Sequence, residues 1–368
     1  MRSMTGPNRY AETSPPIRIG IVGGGRATTM LHLPALSSVP GANIVGIAES
    51  DQEARQRLAG RLPQIPCVGD YRVLLDDRTI DAIAVCTPAQ SHVAIALAAL
   101  EAGKHVLVEK PLALSLEECD RLLEGAQGTT RRVMVGFNTR WHRLARQARA
   151  LIQEQAIGFP DVVESVLTSY HREVPPWRER RATGGGALLE MAIHHFDLWQ
   201  FLLDSEVEEI SAHTKSGTWD DEVATVTARL RCGALASGSF AERTSQQNRL
   251  EVFGRSGSLR VSFYQFDGLE LQTVTEIPGN IPSRIGAIGR TLREFPRGLS
   301  TLRRGGEWQQ SYVEQWRHFV ESIQRGARVE CGLEEGRRAL AIALAAIESA
   351  ATGRAIKLIA AEVPVSQV

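Results

Sequence analysis

The sequence predicts an α/β protein in which a doubly wound parallel sheet is followed by an α+β domain with a large, mostly antiparallel open sheet. Three observations predict it. Short β-branched runs alternate with helix-like segments over the first third of the chain, and a glycine turn follows the first run. From residue 162 onward, strand-like segments follow one another, several of them with apolar residues at every second position. A chain of 368 residues is long enough for two such domains.

The composition excludes several classes of protein. The 42 Lys and Arg residues balance the 42 Asp and Glu residues, so neither nucleic acid nor a membrane is expected as a partner. No apolar run approaches the ~20 residues that span a bilayer. The five cysteines are dispersed without a CxxC pair, which argues against a disulfide framework or a cysteine-based zinc site and indicates the cytoplasm. Residues 1–16 are polar, have no signal-peptide core, and are expected to form a disordered leader.

The first third alternates between the two kinds of element. Strands are predicted at 17–22, 43–48, 81–86, 105–108 and 132–135. Helices are predicted between them at 27–38, 51–62, 90–102 and 115–125. Strands joined by helices of this length form right-handed crossovers, which give a parallel sheet.

A glycine turn joins the first strand to the first helix. It reads GGGRAT at residues 23–28, which is GxGxx followed by threonine where glycine or alanine is usual. Small residues let the backbone turn tightly and approach a pyrophosphate at the helix N-terminus. The turn therefore indicates a Rossmann dinucleotide-binding domain at 17–137, and the remaining residues, 138–368, are assigned to a second domain. The candidate cofactor-binding residues of the turn are Gly23, Gly25, Arg26, Ala27 and Thr28.

The acidic residue Glu49 ends the second predicted strand, 24 residues after Gly25. A carboxylate there accepts hydrogen bonds from the adenosine ribose hydroxyls and repels a 2′-phosphate. No arginine follows it directly, so NAD is favoured as the cofactor and NADP is the alternative.

Several later motifs, in this order, resemble the glucose–fructose oxidoreductase / inositol dehydrogenase (Gfo/Idh/MocA) family. They are CTP at 86–88 with Ser91 and His92, GKHVLVEKP at 103–111, GFN at 136–138 with Arg140, WR at 177–178, GGGAL at 184–188, and Glu190, His194 and Asp197. The resemblance runs from residue 17 to about 358. It implies a nicotinamide-dependent oxidoreductase for sugars, inositols or related polyols. It also implies that residues 138–368 form a substrate-binding and oligomerisation domain, which pairs sheet to sheet into homodimers or homotetramers.

Lys110 is the first candidate catalytic residue. It lies just beyond a predicted strand, at the sheet edge where doubly wound folds bind ligands. A lysine there can hydrogen-bond the reacting oxygen while the nicotinamide takes the hydride. The resemblance implies this role, and it also implies a cis Lys110–Pro111 bond.

Glu190 and His194 are the other catalytic candidates, because they lie four residues apart on a predicted helix at 187–203. Histidine can relay a proton to or from a substrate hydroxyl, and a carboxylate one turn earlier can orient it or contact the substrate. The family usually has aspartate where this chain has Glu190. Zinc would require a third ligand that the neighbouring sequence does not supply, so no metal is expected.

The remaining site candidates follow from position and from the resemblance. Arg140 and Arg178 are candidates for binding substrate hydroxyls or a carboxylate, and Trp177 for packing on a sugar ring. His195 is interpreted as structural and Asp197 as a positioning contact. The further cofactor-binding candidates are Thr87, Pro88, His92, Glu109, Lys110 and Asn138.

The second domain is predicted to contain seven strands and two C-terminal helices. The strands are expected at 162–169, 208–213, 222–231, 234–240, 249–253, 259–263 and 269–274, and the helices at 308–325 and 333–352. Residues 276–306 are rich in Gly, Pro and Arg and are interpreted as a long irregular insertion. Such a segment either covers the substrate cleft as a lid, reaches into a neighbouring subunit, binds an acidic group, or is a solvated loop.

The leading hypothesis is a dehydrogenase or reductase acting on a secondary alcohol or ketone of a sugar-like substrate. An alternative keeps NAD but uses transient oxidation to drive elimination or hydrolysis of a glycoside. A third, a non-catalytic sensor, is disfavoured because Lys110 and His194 are retained.

Overall fold

A computed structural model describes residues 15–170, 173–277 and 280–358. The predicted leader at 1–16 lies outside the described residues, apart from its last two. None of the helices in the described ranges is long and apolar enough to cross a membrane.

The first sheet is fully parallel, as predicted. Its six strands pair in the order β3-β2-β1-β4-β5-β6, so successive strands are added toward one edge up to β3 and toward the other edge from β4 onward, with the switch between β1 and β4. The strands are β1 (Ile17–Val22), β2 (Ala42–Ala48), β3 (Cys67–Val68), β4 (Ala82–Val85), β5 (His105–Val108) and β6 (Val133–Val135). In a doubly wound sheet this reversal opens the ligand crevice at the carboxyl ends of the strands.

Helices cover both faces of this sheet. They are α1 (Leu33–Leu36), α2 (Gln52–Arg61), α3 (Arg72–Asp76), α4 (His92–Glu101) and α5 (Leu116–Ala126). A π-helical turn at Thr28–His32 precedes α1 and occupies much of the helix predicted at 27–38. Strand β3 and helix α3 were not predicted, because elements of two and five residues are too short to show a period.

The second sheet has eight strands in the order β13-β12-β11-β7-β10-β9-β8-β14. They are β7 (Pro160–Thr168), β8 (Val207–Lys215), β9 (Val223–Leu230), β10 (Leu235–Ala241), β11 (Gln247–Gly254), β12 (Gly257–Ser262), β13 (Leu269–Thr273) and β14 (Ile356–Lys357). All neighbours are antiparallel except β7 and β10, which are parallel. The mostly antiparallel sheet is therefore confirmed, with one parallel pair at its centre.

Helices pack on one face of this second sheet, and alternate residues of its strands are buried against them. The helices of this half are α6 (Arg143–Gln153), α7 (Ile193–Leu203), α8 (Ile281–Leu302), α9 (Gly306–Arg325) and α10 (Leu333–Thr352). A π-helical turn at Leu188–Ala192 leads into α7. Helices α9 and α10 also pack on the first half of the chain, so the division at residue 137 stays a prediction.

The interpretation of residues 276–306 as an irregular insertion is wrong. Most of the segment is the 22-residue helix α8, which contains Pro296. Its glycines and prolines lower intrinsic helix propensity and obscured an apolar repeat that alternates between steps of four and three residues. Helix α6 was also missed in the sequence, although its apolar and polar residues separate clearly onto two faces.

Candidate active site

The glycine turn after β1 lies against the end of β4. Gly23 has a φ of +98°, and a Cβ atom there would lie 2.6 Å from the Cys86 carbonyl oxygen. A Cβ on Gly24 would lie 2.2 Å from Leu58 Cδ1, whereas one on Gly25 would meet no described atom within 4 Å. The turn is therefore closed on the protein side and open at Gly25, which leaves exposed backbone for a phosphate group to approach.

Thr28, the departure from the usual small residue, is fully buried. Its hydroxyl donates a hydrogen bond to the Gly23 carbonyl at 2.5 Å. The added bulk is thus accommodated by a bond that closes the turn.

Glu49 lies at the end of β2 and joins the turn to the next loop. One carboxylate oxygen accepts from Gly24 N at 2.7 Å, and the other accepts from Asp51 N at 2.9 Å. The nearby Arg55 donates to the Glu49 and Ser50 carbonyls. The carboxylate keeps lone pairs for ribose hydroxyls, so the residues present fit a dinucleotide without a 2′-phosphate.

Lys110 lies two residues after the end of β5, and its peptide bond to Pro111 is cis, which confirms that expectation. Its ammonium donates to the Glu190 carbonyl oxygen at 2.9 Å and lies 3.1 Å from the Glu190 carboxylate. The Lys110 side chain is 10 % exposed, so its amine is held at the edge of a partly desolvated space. Glu190 thus binds Lys110 through both its backbone and its side chain.

Two further charged residues extend this ion pair. Arg178 Nη2 lies 3.0 Å from the second Glu190 carboxylate oxygen and 3.3 Å from Glu242. The other oxygen of Glu242 accepts from the Ser169 hydroxyl at 2.8 Å. Two cations and two carboxylates therefore alternate in one partly buried chain, and their formal charges cancel.

His194 follows the π-helical turn that contains Glu190 and is 8 % exposed. Its Nδ1 is buried and has no hydrogen-bond partner among the described residues. Burial, reinforced by the positive charges of Lys110 and Arg178, holds the pKa of this imidazole well below its usual value of 6.5. His194 is therefore neutral near pH 7 and able to accept a proton.

Glu109 connects Lys110 to the cofactor turn. Its carboxylate accepts from the Lys110 backbone N–H at 3.2 Å and lies 3.0 Å from His32 Nε2. The Trp316 indole N–H donates to His32 Nδ1 at 3.1 Å, so the proton on Nε2 is directed at Glu109. This buried series of hydrogen bonds links the π-helical turn after the glycines to the segment that carries Lys110.

His92, the first residue of α4, lies between the preceding loop that contains Thr87 and the segment that follows Lys110. Its ring nitrogens lie 2.8 Å from the Thr87 carbonyl oxygen and 2.9 Å from the Pro111 carbonyl oxygen. Burial lowers the pKa of His92 below its usual value. The side chain therefore joins the loop to the segment after Lys110 from inside the fold.

Asn138 is fully buried next to α9. Its amide nitrogen donates to the Ser311 hydroxyl at 2.9 Å, while its Oδ1 has no partner among the described residues. An orphaned buried oxygen costs free energy unless another group donates to it.

Tyr312, which follows Ser311 on α9, is also buried. The pKa of its phenol is raised well above 10 by burial and by the nearby carboxylates of Glu109 and Glu190.

Three predicted residues lie in other settings. Arg140 is 7 % exposed and binds both carboxylate oxygens of Asp197, at 2.7 and 2.6 Å, so these donors are not available to a substrate. His195 is fully buried, and its Nε2 lies 3.1 Å from the Asn248 side-chain oxygen, consistent with a structural role. Trp177 is half-buried in a short helical turn next to Arg178.

Sequence reasoning missed Ser169 and Glu242. Each follows a strand of the parallel β7–β10 pair, in which Thr168 is aligned with Ala241. Their only signal is position at a strand's carboxyl end, which identifies neighbours only when the pairing of the strands is known.

The glycine turn, the ribose-side carboxylate and the lysine–histidine site together define an NAD-binding oxidoreductase. A family model described as an oxidoreductase family with an NAD-binding Rossmann fold matches residues 17–137. The corresponding C-terminal domain model matches residues 145–260. The chain belongs to the GFO/IDH/MocA family, and its cofactor is NAD.

Relatives and solved structures extend along most of the chain. It is 29% identical over 355 residues to a myo-inositol 2-dehydrogenase from Thermotoga maritima, covering 93% of this chain and 98% of the relative. It is 27% identical over 319 residues to a scyllo-inositol 2-dehydrogenase (NAD(+)) from Bacillus subtilis, covering 84% and 87%. A levoglucosan dehydrogenase solved with NADH and levoglucosan has the same fold, with a TM-score of 0.76, 24% identity, and coverage of 93% and 99%.

Proposed function

We propose that this protein is an NAD-dependent dehydrogenase that oxidises a secondary alcohol of an uncharged cyclic polyol or sugar. The observation that carries the proposal is the chain of ion pairs from Lys110 through Glu190 to Arg178, beside a neutral His194. NAD, when bound, supplies the hydride acceptor. The inositol dehydrogenases among the relatives support the substrate class.

Each side chain has a role that its contacts support. Lys110 would hydrogen-bond the reacting oxygen, and the neutral imidazole of His194 would accept the hydroxyl proton. Glu190 would hold the Lys110 ammonium in place, with Arg178 fixing the far oxygen of that carboxylate. Trp177 would pack on the substrate ring, next to Arg178.

The balanced charge of the site favours an uncharged substrate. Each site cation already lies within 3.3 Å of a site carboxylate, so a carboxylate on the substrate would have to displace one of them. A neutral polyol needs only hydrogen bonds. We expect kcat/KM for inositols or hexoses to exceed that for the matching uronic acids by at least about tenfold.

The test is a screen of the purified protein with NAD and NADP against inositols, hexoses, sugar acids and glycosides. Steady NADH formation that is abolished by Lys110→Met, and kept by Lys215→Met at the exposed end of β8, is the expected result. Glycoside cleavage without net NADH would instead support the redox-assisted lyase or hydrolase. A preference for NADP would contradict the role given to Glu49.

We also propose an oligomeric state and a cellular location for this protein. Leu235 and Phe253 are exposed on the outer face of the second sheet, which supports sheet-to-sheet pairing into a homodimer or homotetramer. The five unpaired cysteines support a cytoplasmic location. Mass measurement in solution and cell fractionation would test the two proposals.

A further inference from the structure

Helix α8 packs on the protein through its small and polar side. The buried Gly298 lies against the Phe266 ring, where a Cβ atom would be 2.6 Å away. The Thr291 hydroxyl donates to Asp267 at 2.5 Å, and Glu294 lies 3.4 Å from Arg143. A small, polar inward face is the reverse of what a surface helix of a globular protein normally buries.

The large apolar side chains of α8 are directed outward. Seven of them are between 47% and 74% exposed: Ile281, Ile285, Ile288, Leu292, Phe295, Leu299 and Leu302. Within the described residues, this is a continuous apolar stripe along the whole helix. Stripes of this size on a protein surface mark interaction sites.

The spacing of this apolar stripe identifies the kind of partner. Its members are separated by four, three, four, three, four and three residues, which is the a/d repeat of a helix that pairs with another helix. The residues beside its central part are small or uncharged, among them Gly289, Thr291, Pro296 and Gly298. Such neighbours let two helices approach closely without repulsion.

Four of the five charged residues of α8 point away from the apolar stripe, and the fifth, Arg284, lies at one border near its N-terminal end. On a helical projection, Arg293 and Arg297 lie on the side of the helix opposite the apolar stripe, separated from it by Gly289 and Pro296. A helix that binds an anionic membrane would place cations along both borders of its apolar face. The arrangement favours pairing with a helix over binding to a lipid surface.

The helix also needs a partner for its own stability. Three glycines and Pro296 lie within its 22 residues. Interior glycine costs about 1 kcal/mol and proline about 3 kcal/mol relative to alanine. Such a helix depends on packing, and its own chain covers only the small side.

The exposed area is sufficient for self-association. At roughly 200 Å² for a whole Ile, Leu or Phe residue, the exposed fractions leave on the order of 800 Å² of the stripe open per copy. A stable interface buries about 800 Å² per partner. Two copies that covered most of this stripe would therefore approach the size of a stable interface.

We infer that α8 pairs with α8 of a second copy of this chain, antiparallel and about a two-fold axis near Leu292, the middle of the apolar stripe. An identical stripe on both copies satisfies the self-complementarity that a two-fold interface requires. The antiparallel direction separates the cationic C-terminal ends, which carry Arg297, Arg303 and Arg304, and opposes the helix dipoles. This interface is distinct from the outer face of the second sheet.

Sedimentation of the full chain from 0.1 to 100 μM tests the pairing. The triple variant Ile285→Gln/Ile288→Gln/Leu292→Gln should have half the mass of the unsubstituted particle, with the dissociation constant raised at least about 100-fold. The matched control Arg293→Gln/Arg297→Gln, on the same helix, should keep the mass. Because all five side chains are exposed, circular dichroism and the melting temperature should show both variants folded.

Cross-linking tests the direction. Copies carrying Ile281→Cys mixed with copies carrying Leu302→Cys should form a disulfide-linked pair, beyond the background of the unsubstituted protein. Cross-linking of Ile281→Cys copies to each other would overturn the antiparallel arrangement. A mass that the triple variant does not change would overturn the pairing itself. The pairing would also be overturned if the unsubstituted protein bound phosphatidylserine vesicles and the triple variant lost this binding without a change in mass.

Discussion

Shortening Glu190 by one methylene, in Glu190→Asp, tests whether this carboxylate positions Lys110. The carboxylate would retract by about 1.5 Å, and the ion pairs now at 3.1 Å to Lys110 and 3.0 Å to Arg178 would both open beyond 4 Å. At an effective dielectric constant of about 20, each pair would lose about 2 kcal/mol of Coulomb attraction. Because misplacing a catalytic group by ~1 Å can cost ~100-fold, we expect kcat to fall between about 10- and 100-fold.

The assay is steady-state kinetics with saturating NAD and the best polyol from the screen, together with NADH affinity measured by fluorescence. Loss in kcat with unchanged NADH affinity would support a positioning role. Glu190→Gln keeps the length but removes the charge between Lys110 and Arg178, and it should lose more activity than Glu190→Asp. The family usually has aspartate here, so resemblance alone predicts that Glu190→Asp is harmless. Activity equal to or above that of the unsubstituted enzyme would refute the geometric argument.

Three further predictions concern the cofactor turn and two histidines. Gly24→Ala should lower the melting temperature, because its added Cβ atom would clash with Leu58 of α2. Gly25→Ala should keep the melting temperature of the unsubstituted protein but weaken NAD binding. Equal melting temperatures for the two variants would contradict this prediction. Because burial lowers the pKa of His195 to about 4, its neutral form contributes stability that is complete above pH 6.5 and is lost as the pH falls toward 4. Urea unfolding would measure how far the free energy of unfolding falls between pH 7 and pH 5. This fall should be about 2 kcal/mol smaller in His195→Gln than in the unsubstituted protein. An equal fall in both proteins would show that His195 does not cause it. In NMR titrations, Lys110→Met should raise the pKa of His194 while burial keeps it below 6.5, and an unmoved pKa would show that the two charges do not interact.

The Rossmann half could be predicted from the sequence because its signals are local. Strand and helix periods, the glycine turn and Glu49 all lie within single crossover units, and the structure retains each of them. The position of Lys110 follows from the same rule, since doubly wound sheets bind ligands at the carboxyl ends of their strands.

The other half of the site depends on contacts between distant segments. Glu242 reaches Ser169 because β10 pairs in parallel with β7 inside an otherwise antiparallel sheet, and no period in the sequence encodes that pairing. Arg140 satisfied every local criterion for a substrate contact, yet Asp197, 57 residues later, binds it. Local patterns identify the side chains whose chemistry suits a substrate or cofactor contact. Contacts between distant segments decide which of these side chains are still free to make one.

Two π-helical turns carry the residues that position Lys110. One turn buries His32, which binds Glu109 and through it the Lys110 backbone. The other carries Glu190, whose carbonyl and carboxylate both bind the Lys110 ammonium. A π-helical turn adds a residue to the helical repeat and shifts the side chains that follow, and such turns are frequent at functional sites. The lysine is therefore held by its backbone from the cofactor half and by its amine from the substrate half, so an error in either packing would displace the same catalytic atom.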